Sequence, residues 1–189
     1  PPRLARMVVD AAAVGEAGLA AEVAVVLTER GLGGNDVDLA HRVDALRRER
    51  SNRARDARGM AQRWAETAGE RRGGEQKELS PGALLALAYP DRVARSRGSG
   101  GAFLLANGRG ANVDPTSALS REPFLAIAEI TGTAAQGRIV LAAALTLAEI
   151  EAQFSDRIES RDEITFDEGS ASLRARRLRR LGEIALAEQ

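Results

Sequence analysis

The stretch FLAIAEITGTAAQGRIVLAAAL, residues 124–145, decides the fold of the second half of the chain. It contains two short apolar segments, Phe124 to Ile130 and Arg138 to Leu145, separated by a more polar stretch with two glycines. Short apolar segments bounded by glycine are typical of antiparallel strands. The same pattern recurs at Ala102 to Ala106, at Ile164 to Phe166 and from Leu173 onward. The sequence therefore predicts a small antiparallel sheet or barrel.

One helix is expected among these strands. Thr146 and Glu149 have the T-x-x-E spacing of a capping box, in which each side chain bonds to the backbone of the other residue. Farther on, the apolar residues change phase between Leu173 and Leu178. A strand there would need a bulge, and an exposed helical turn is the alternative.

Before Pro90, apolar residues recur at intervals of three and four, which predicts a series of amphipathic helices. Gly31 is the predicted C-cap of the second helix, and Asn35 or Asp36 the N-cap of the third. Ser80 followed by Pro81 predicts the start of a fifth helix. The predicted buried faces are Leu4, Met7, Val8, Ala11 and Val14; Leu19, Val23, Val26 and Leu27; Leu39, Val43 and Leu46; and Ala57, Met60, Ala61, Trp64, Ala65 and Ala68. The small alanine faces favour a compact antiparallel bundle.

The segment GERRGGEQKE, residues 69–78, has no apolar anchor, and we interpret it as a linker or exposed loop. It lies between the fourth and the fifth predicted helices.

Composition limits the chemistry available to the chain. Its 189 residues include no cysteine and one histidine, which excludes disulfides, thiolate metal sites and a multi-histidine metal centre. The 27 basic residues balance 27 acidic ones, and all but Lys77 of the basic residues are arginine. No apolar run approaches the ~20 residues of a membrane helix. Because the chain opens with Pro1-Pro2 and no methionine, we expect it to be a piece of a longer protein.

No residue pattern indicates catalysis. A phosphate-binding loop of the Walker type needs a lysine followed by Ser or Thr, whereas Lys77 is followed by Glu78. Gly108-Arg109-Gly110 is either a hairpin turn or a small nest of amides for an anion. His41, between Asp38 and Asp44, is expected to be a solvated or packing histidine. We assign no catalytic, cofactor-binding or metal-binding residue, and we treat the pairs Asp162-Glu163 and Asp167-Glu168 as turn and edge residues.

Arginine is concentrated in two clusters. The first comprises Arg47, Arg48, Arg50, Arg53, Arg55 and Arg58, and the second Arg174, Arg176, Arg177, Arg179 and Arg180. Guanidinium groups that converge can hold a nucleic-acid backbone. A solvated face or a network of salt bridges is the alternative for each cluster.

Several motifs carry a family resemblance. YPDRVA at residues 89–94, LANGRGA at 105–111 and DPTSAL at 114–119 resemble the region C-terminal to the motor in the HrpB family of bacterial DEAH-box-like ATP-dependent helicases. PRLARM, residues 2–7, is similar to the start of the helical-bundle domain of that family. In DPTSAL, Asp114 replaces a histidine that is usual in eukaryotic DEAH helicases.

The resemblance implies an α+β fold in which an N-terminal antiparallel helical bundle, residues 1–88, is followed by a small OB-like β-barrel. The barrel and the start of the family-specific C-terminal region would occupy residues 89–189. Two RecA-like motor domains that bind ATP and Mg would lie elsewhere in the parent chain. This piece would therefore be inactive alone, with no cofactor of its own.

The resemblance also implies an accessory part that grips single-stranded RNA or DNA through phosphate contacts while the motor hydrolyses ATP. The expected contact residues are Arg47, Arg50 and Arg53 in the bundle and Asn107, Arg109 and Arg121 in the barrel. With 3% aromatic residues, base stacking should be weak. The expected partners are single-stranded RNA or DNA and the motor domains, and no membrane partner is expected. The protein is expected to be a cytoplasmic monomer. The alternative is a protein-docking module that recruits a partner to the barrel, or to an exposed strand edge near Leu173, without binding nucleic acid.

Overall fold

The computed structural model describes residues 1–69, 77–133, 136–167, 169 and 171–188. In these residues five α-helices precede the first strand: α1 (Pro2–Ala12), α2 (Ala17–Thr28), α3 (Leu39–Arg48), α4 (Asn52–Ala68) and α5 (Pro81–Ala88). The strands are β1 (Val93–Ser96), β2 (Ala102–Leu105), β3 (Gly110–Asn112), β4 (Phe124–Gly132), β5 (Gly137–Leu145), β6 (Glu159–Asp167), β7 (Ser172–Leu181) and β8 (Ile184–Glu188). Helix α6 (Leu147–Phe154) separates β5 from β6. The predicted α+β class is confirmed.

Local sequence signals define three helix starts. The Ser80 hydroxyl accepts a hydrogen bond from the Ala83 amide at the start of α5, with Pro81 at the first helical position. Thr146 and Glu149 form the predicted capping box of α6, because both reciprocal bonds are present. The start of α3 differs from the prediction. Its N-cap is Asp38, whose carboxylate accepts from the Ala40 amide at 2.9 Å.

Two predicted helix boundaries were wrong for local reasons. Asp36 does not cap α3, because its carboxylate accepts from the Asp38 amide and contacts His41 instead. Asn35 is likewise not the cap. Gly31 does not cap α2, which ends at Thr28 with Glu29 in extended backbone as its C-cap. Gly31 has a φ of +73° and lies in the turn that follows.

The predicted barrel is present and closed. Its strand order is β1-β2-β3-β5-β4, with β1 pairing antiparallel to both β2 and β4. The closure joins distant segments, since Ala94 of β1 lies opposite Leu105 on one side and Leu125 on the other. Among the barrel strands that the structure describes, β3 and β5 are the one parallel pair. Strands β1 and β3 were not predicted, because VARS and GAN lack the continuous apolar run that marks the equally short β2.

A loop between helices α2 and α3 completes the barrel wall. Strand β3 pairs with only the first two residues of β5, which leaves the rest of that edge of β5 to another segment. The loop before α3 fills the gap: the Val37 carbonyl accepts from the Ala142 amide at 2.9 Å, and Asp38 forms a parallel bridge to Ala142. Val37 also packs against the apolar interior of the barrel.

Residues after Phe154 form a second, three-stranded sheet with the order β6-β7-β8 rather than closing the barrel. The strand interpretation of residues 173–178 is therefore confirmed over the helical turn. The register between β6 and β7 is continuous, and the irregularity lies farther along, between Arg179 and Arg180, where β7 meets β8.

Two apolar cores hold the chain together. One fills the barrel and includes Phe103, Leu105, Leu125 and Ile127. The other runs from Leu4 to Leu186, and so through helices, outer barrel positions and β8. The antiparallel bundle arrangement and the division at residues 88 and 89 stay predictions, and the predicted linker lies largely outside the described residues.

Candidate nucleic-acid interface

Asn107 and Arg109 lie in the tight turn between β2 and β3. The Gly108 amide donates to the Leu105 carbonyl at 2.8 Å, and the Asn107 side-chain oxygen accepts from the Arg109 amide at 3.0 Å. Gly108 has a φ of +85°, which a residue with a side chain rarely adopts. Because β2 and β3 pair antiparallel on either side, this segment is a hairpin turn. It holds the Arg109 side chain exposed at its tip.

Arg97 lies beside the same hairpin. It is not among the contact residues predicted from the sequence. A Cβ atom placed on Gly110 would lie 3.7 Å from Arg97 Nη1, so the arginine passes over a position that carries no side chain. The Arg97 amide donates to the Ala102 carbonyl at 2.8 Å and continues the β1–β2 pairing by one residue. The side chain is exposed. Arg97 and Arg109 thus belong to one cationic surface, although twelve positions separate them in sequence.

Arg121 lines an open groove of about 560 Å³ between its own 3-10 turn, Ala118–Arg121, and the β1–β2 loop. Gly98 and Gly100 of that loop also line the groove. Both have positive φ, +116° and +93°, and neither position has an atom within 4 Å of where a Cβ would lie. The loop therefore presents accessible backbone to the groove.

The β1–β2 loop joins these cationic positions. Arg97 stands at its start, beside the hairpin with Arg109, and its glycines face Arg121. Arg97, Arg109 and Arg121 are exposed, and none has an ion pair or a side-chain hydrogen bond among the described residues. We call these three residues and the loop the barrel arginine surface. Arg95 lies nearby, but its guanidinium donates to the Ala185 carbonyl at 2.7 Å and so joins the second sheet to the barrel.

The predicted helical contact residues are placed differently. Arg47 Nη2 lies 2.6 Å from Glu22 Oε2, and these hydrogen bonds, aided by the Glu22 charge, raise the pKa of Arg47 above its ordinary value. Arg53 donates to the Arg30 carbonyl. Arg50 alone of the three predicted residues is exposed without a partner in the described part of the chain.

Four of the six arginines of the first cluster therefore have partners within the fold: Arg47, Arg48, Arg53 and Arg58. The Arg58 guanidinium donates to the carbonyls of Leu46 and Glu49 and so satisfies the end of α3. No hydrogen bond or ion pair between described residues joins the helical arginines to the barrel arginine surface.

The second cluster is built into the hairpin of β6 and β7. Arg177 Nε lies 3.0 Å from Asp162 Oδ1 on the neighbouring strand, and Arg179 pairs with Glu151 of α6. Arg180 donates to the Glu183 carbonyl. The salt-bridge interpretation of this cluster is thus supported by the contacts.

A second groove, of about 610 Å³, is acidic and lies on the side where Val37 completes the barrel. It is lined by Asp36, Asp38, Asp114, His41 and Arg138, among others. Asp114 accepts from the Thr116 hydroxyl at 2.7 Å and from its amide at 2.9 Å, and these bonds hold the pKa of Asp114 below its ordinary value. Carboxylates repel phosphate, and this groove has Asp36, Asp38 and Asp114 where the groove of Arg121 has Glu122, so it is the poorer path for a nucleic-acid strand.

His41 is the ionisable centre of the acidic groove. Its Nδ1 lies 2.9 Å from Asp36 Oδ2, and this hydrogen bond, together with the charge of Asp38, raises the pKa of His41. Burial pushes the Asp36 pKa upward, but the Asp38 amide and His41 outweigh it, and the pKa of Asp36 is lowered. Within the described ranges, no group of three or more His, Cys, Asp or Glu side chains is arranged to hold a metal ion.

Comparison with known proteins supports the family resemblance. No protein-family model matches the chain. The ATP-dependent RNA helicase HrpB of Escherichia coli K12 is 32% identical over 192 residues, which cover 100% of this chain and 22% of that protein. Two crystal structures of E. coli HrpB, described as a DExH-box NTPase and as a DEAH/RHA helicase, match all of this chain with TM-scores of 0.76 and 0.71 and identities of 30% and 29%. They are covered to 22% and 23%.

The chain is therefore homologous to HrpB and spans about a fifth of its length, 22%. The resemblance predicted from YPDRVA, LANGRGA and DPTSAL is confirmed. No helix of the described residues is long and apolar enough to cross a membrane.

Proposed function

We propose that this homologue of part of HrpB is the strand-gripping accessory region of an ATP-dependent DEAH-type helicase. It contacts the phosphates of single-stranded RNA or DNA while RecA-like motor domains in the parent chain bind ATP and Mg and hydrolyse the nucleotide. The region itself carries no catalytic residue in this proposal. The parent protein acts in the cytoplasm.

The observation that carries the proposal is the barrel arginine surface. Arg97, Arg109 and Arg121 are exposed and unpaired in the described structure, whereas Arg47, Arg177 and Arg179 already have carboxylate partners. Guanidinium groups without a partner are available to phosphate, and binding by such groups does not require an existing ion pair to break. The exposed backbone of Gly100 adds an amide donor beside them, whereas the Gly98 amide already donates to the Ser96 hydroxyl at 3.3 Å.

We further propose that the barrel is an OB fold. The closed five-stranded order β1-β2-β3-β5-β4, with one parallel pair, supports this assignment. OB folds that bind oligonucleotides do so across strands 2 and 3 and their neighbouring loops. Arg109 lies in the hairpin between those two strands and Arg97 begins the β1–β2 loop, and these positions support a site of that kind.

A salt series tests the proposal directly. Binding of a fluorescent single-stranded RNA by the 189-residue chain should weaken as salt rises, with a log–log slope of about −0.7 for each phosphate contacted. Three arginines that act together predict a slope near −2 by that relation. The same series with single-stranded DNA of equal length compares the two substrates.

Charge reversal locates the contact. Arg109→Glu together with Arg121→Glu should weaken binding and flatten the slope, because two phosphate contacts are lost. The matched control is Arg30→Glu with Arg63→Glu, which makes the same change in net charge at two exposed arginines outside the barrel. Equal affinity of the two double variants for the strand would remove the barrel from the binding site.

A further inference from the structure

The far end of the β6–β7 hairpin exposes an apolar face. Ile164, Phe166 and Leu173 have 71%, 61% and 73% of their surface accessible to solvent. Phe166 lies opposite Leu173 and Ile164 opposite Ala175. Side chains that are opposite, or two apart on one strand, point to the same face of a sheet, so these four residues form one surface. An exposed apolar cluster of this kind indicates an interaction site.

The charges around this face do not suit a nucleic acid. The next pair on the same face is Asp162 and Arg177, which form an ion pair at 3.0 Å. Arg179, beyond it, pairs with Glu151. A phosphate would have to displace a carboxylate from each guanidinium. An apolar surface bordered by paired charges fits a protein segment better.

The edge of this sheet is acidic. Strand β6 is outermost in the order β6-β7-β8, and an edge strand offers backbone donors and acceptors to an added strand. Its described carboxylates are Glu159, Asp162 and Glu163, against the cation Arg161, whose Nη2 lies 3.7 Å from Glu159 Oε2. Glu163 is exposed and has no ion pair among the residues that the structure describes. A second copy would place acidic β6 against acidic β6, which disfavours self-pairing.

The other open edge is shorter and basic. Within the described residues β8 pairs with β7 from Leu178 onward, and residues 172–177 of β7 pair with β6. Strand β6 offers nine residues and lies next to the apolar face through Ile164 and Phe166.

We infer that β6 binds an extended, basic segment of a partner protein by strand addition, with arginine or lysine alternating with apolar residues. The apolar residues cover Ile164 and Phe166, and the cations face the carboxylates of β6. Asp162 lies on the apolar face with Ile164, so the cations of such an alternating segment point to the other face, where Glu159 and Glu163 lie. The surface is separate from the barrel arginine surface and does not depend on its function.

A synthetic peptide tests this inference. The probe is a nine-residue peptide of alternating arginine and valine with both ends blocked, and its matched control has glutamate in place of arginine. Added to the 189-residue chain, the arginine peptide should slow hydrogen exchange at backbone amides of residues 159–167. The glutamate peptide should not. Binding should weaken as salt rises.

Variants separate the apolar contribution from the charge. Ile164→Thr with Phe166→Thr keeps residues that favour strands and should weaken peptide binding by about tenfold, the equivalent of about 1.4 kcal/mol. Val9→Thr, at an apolar side chain that is 55% exposed on α1, is the control and should bind as the parent does. Glu163→Lys tests the charge independently of the apolar pair and should also weaken binding.

Four results would overturn the inference: no slowed exchange at residues 159–167, slowed exchange only at residues 172–177, equal binding of the two peptides, or protection of β6 by single-stranded RNA in place of peptide. A concentration-dependent dimer in sedimentation that protects β6 without any peptide would overturn it as well.

Discussion

Arg47 and Glu22 form a two-point ion pair between α3 and α2, with Arg47 Nη2 at 2.6 Å and Nε at 3.0 Å from Glu22 Oε2. The residues are 25 positions apart in sequence, so the pair joins two helices rather than two turns of one helix. Arg47 was expected to contact nucleic acid. Its charge is instead matched within the fold, which makes it a weaker candidate than Arg50.

Arg47→Met should lower the free energy of unfolding. The side chain of Arg47 is 48% exposed and that of Glu22 20%, so solvent screens the pair and the loss should be about 0.5 to 1 kcal/mol. Urea unfolding of the parent, Arg47→Met and the control Arg50→Met measures it. A loss as large in the control as in Arg47→Met would show that the ion pair adds nothing.

Arg50→Glu tests whether the helical region contacts single-stranded nucleic acid. Arg50 is exposed and lacks a partner in the described part of the chain, so its reversal should leave the melting temperature unchanged. If the helices contact phosphate, the salt slope for RNA binding should fall by about 0.7. Arg53 is a poor substitute for this experiment because it donates to the Arg30 carbonyl. If the salt slope for RNA binding is unchanged, the nucleic acid contacts the barrel and not Arg50.

Gly82→Ala should destabilise the packing of α5 on the barrel. A Cβ at this position would lie 2.0 Å from the Ala144 carbonyl oxygen of β5, and backbone cannot move aside cheaply. The expected loss is about 1 to 3 kcal/mol. Gly18→Ala in α2 is the matched control, since nothing lies within 4 Å of its added methyl group, and it should gain about 0.5 kcal/mol from helix propensity. Thermal unfolding of both variants measures these changes in stability. If Gly82→Ala leaves the stability unchanged, α5 can shift to make room for the methyl group.

Thr146→Ala should remove the capping box of α6. The hydroxyl accepts from the Glu149 amide at 3.2 Å, and the Glu149 carboxylate accepts from the Thr146 amide at 2.8 Å. Loss of an N-cap side chain costs about 1 kcal/mol. Thr146→Ser retains the hydroxyl and should cost much less, so the prediction fails if both substitutions have the same effect in chemical unfolding.

Stability should depend on the protonation of His41. The pKa of His41 is raised in the folded chain by Asp36 and Asp38, so its contribution is complete below the unfolded pKa of about 6.5 and is lost as pH rises through the folded value. The pKa of Asp36 is lowered, so its contribution disappears at acid pH, as pH falls through its folded value.

Melting temperatures of the parent and of His41→Gln across pH 5 to 9 measure this dependence. The difference between the two should be largest near pH ~5 to ~6 and should shrink toward pH ~8, because neutral His41 carries no charge for the carboxylates to attract. The side chain is 60% exposed, so the difference should be small. A difference that stays constant with pH would show that Asp36 and Asp38 do not stabilise the charged ring.

Local elements could be predicted where a few neighbouring residues carry the whole signal. Ser80 with Pro81 and Thr146 with Glu149 define helix starts through bonds within four residues. Strands β4 and β5 have nine residues each, long enough for an apolar pattern to be recognised. Asp38 was missed as an N-cap because its neighbours Asn35 and Asp36 have equally suitable side chains. The pairing of Val37 with Ala142, which decides among them, is a long-range contact.

The sequence by itself determined the fold class, most of the longer elements and the resemblance to HrpB, because these depend on the order and spacing of residues along the chain. Only the tertiary structure decided which arginines are paired and which are exposed for binding. Arginine is charged everywhere, and what distinguishes Arg47 from Arg109 is whether folding brings a carboxylate within reach. For Arg47 that carboxylate is Glu22, which is 25 positions away in sequence. Arg97 likewise depends on a distant residue, because the missing side chain of Gly110 leaves it room beside the hairpin.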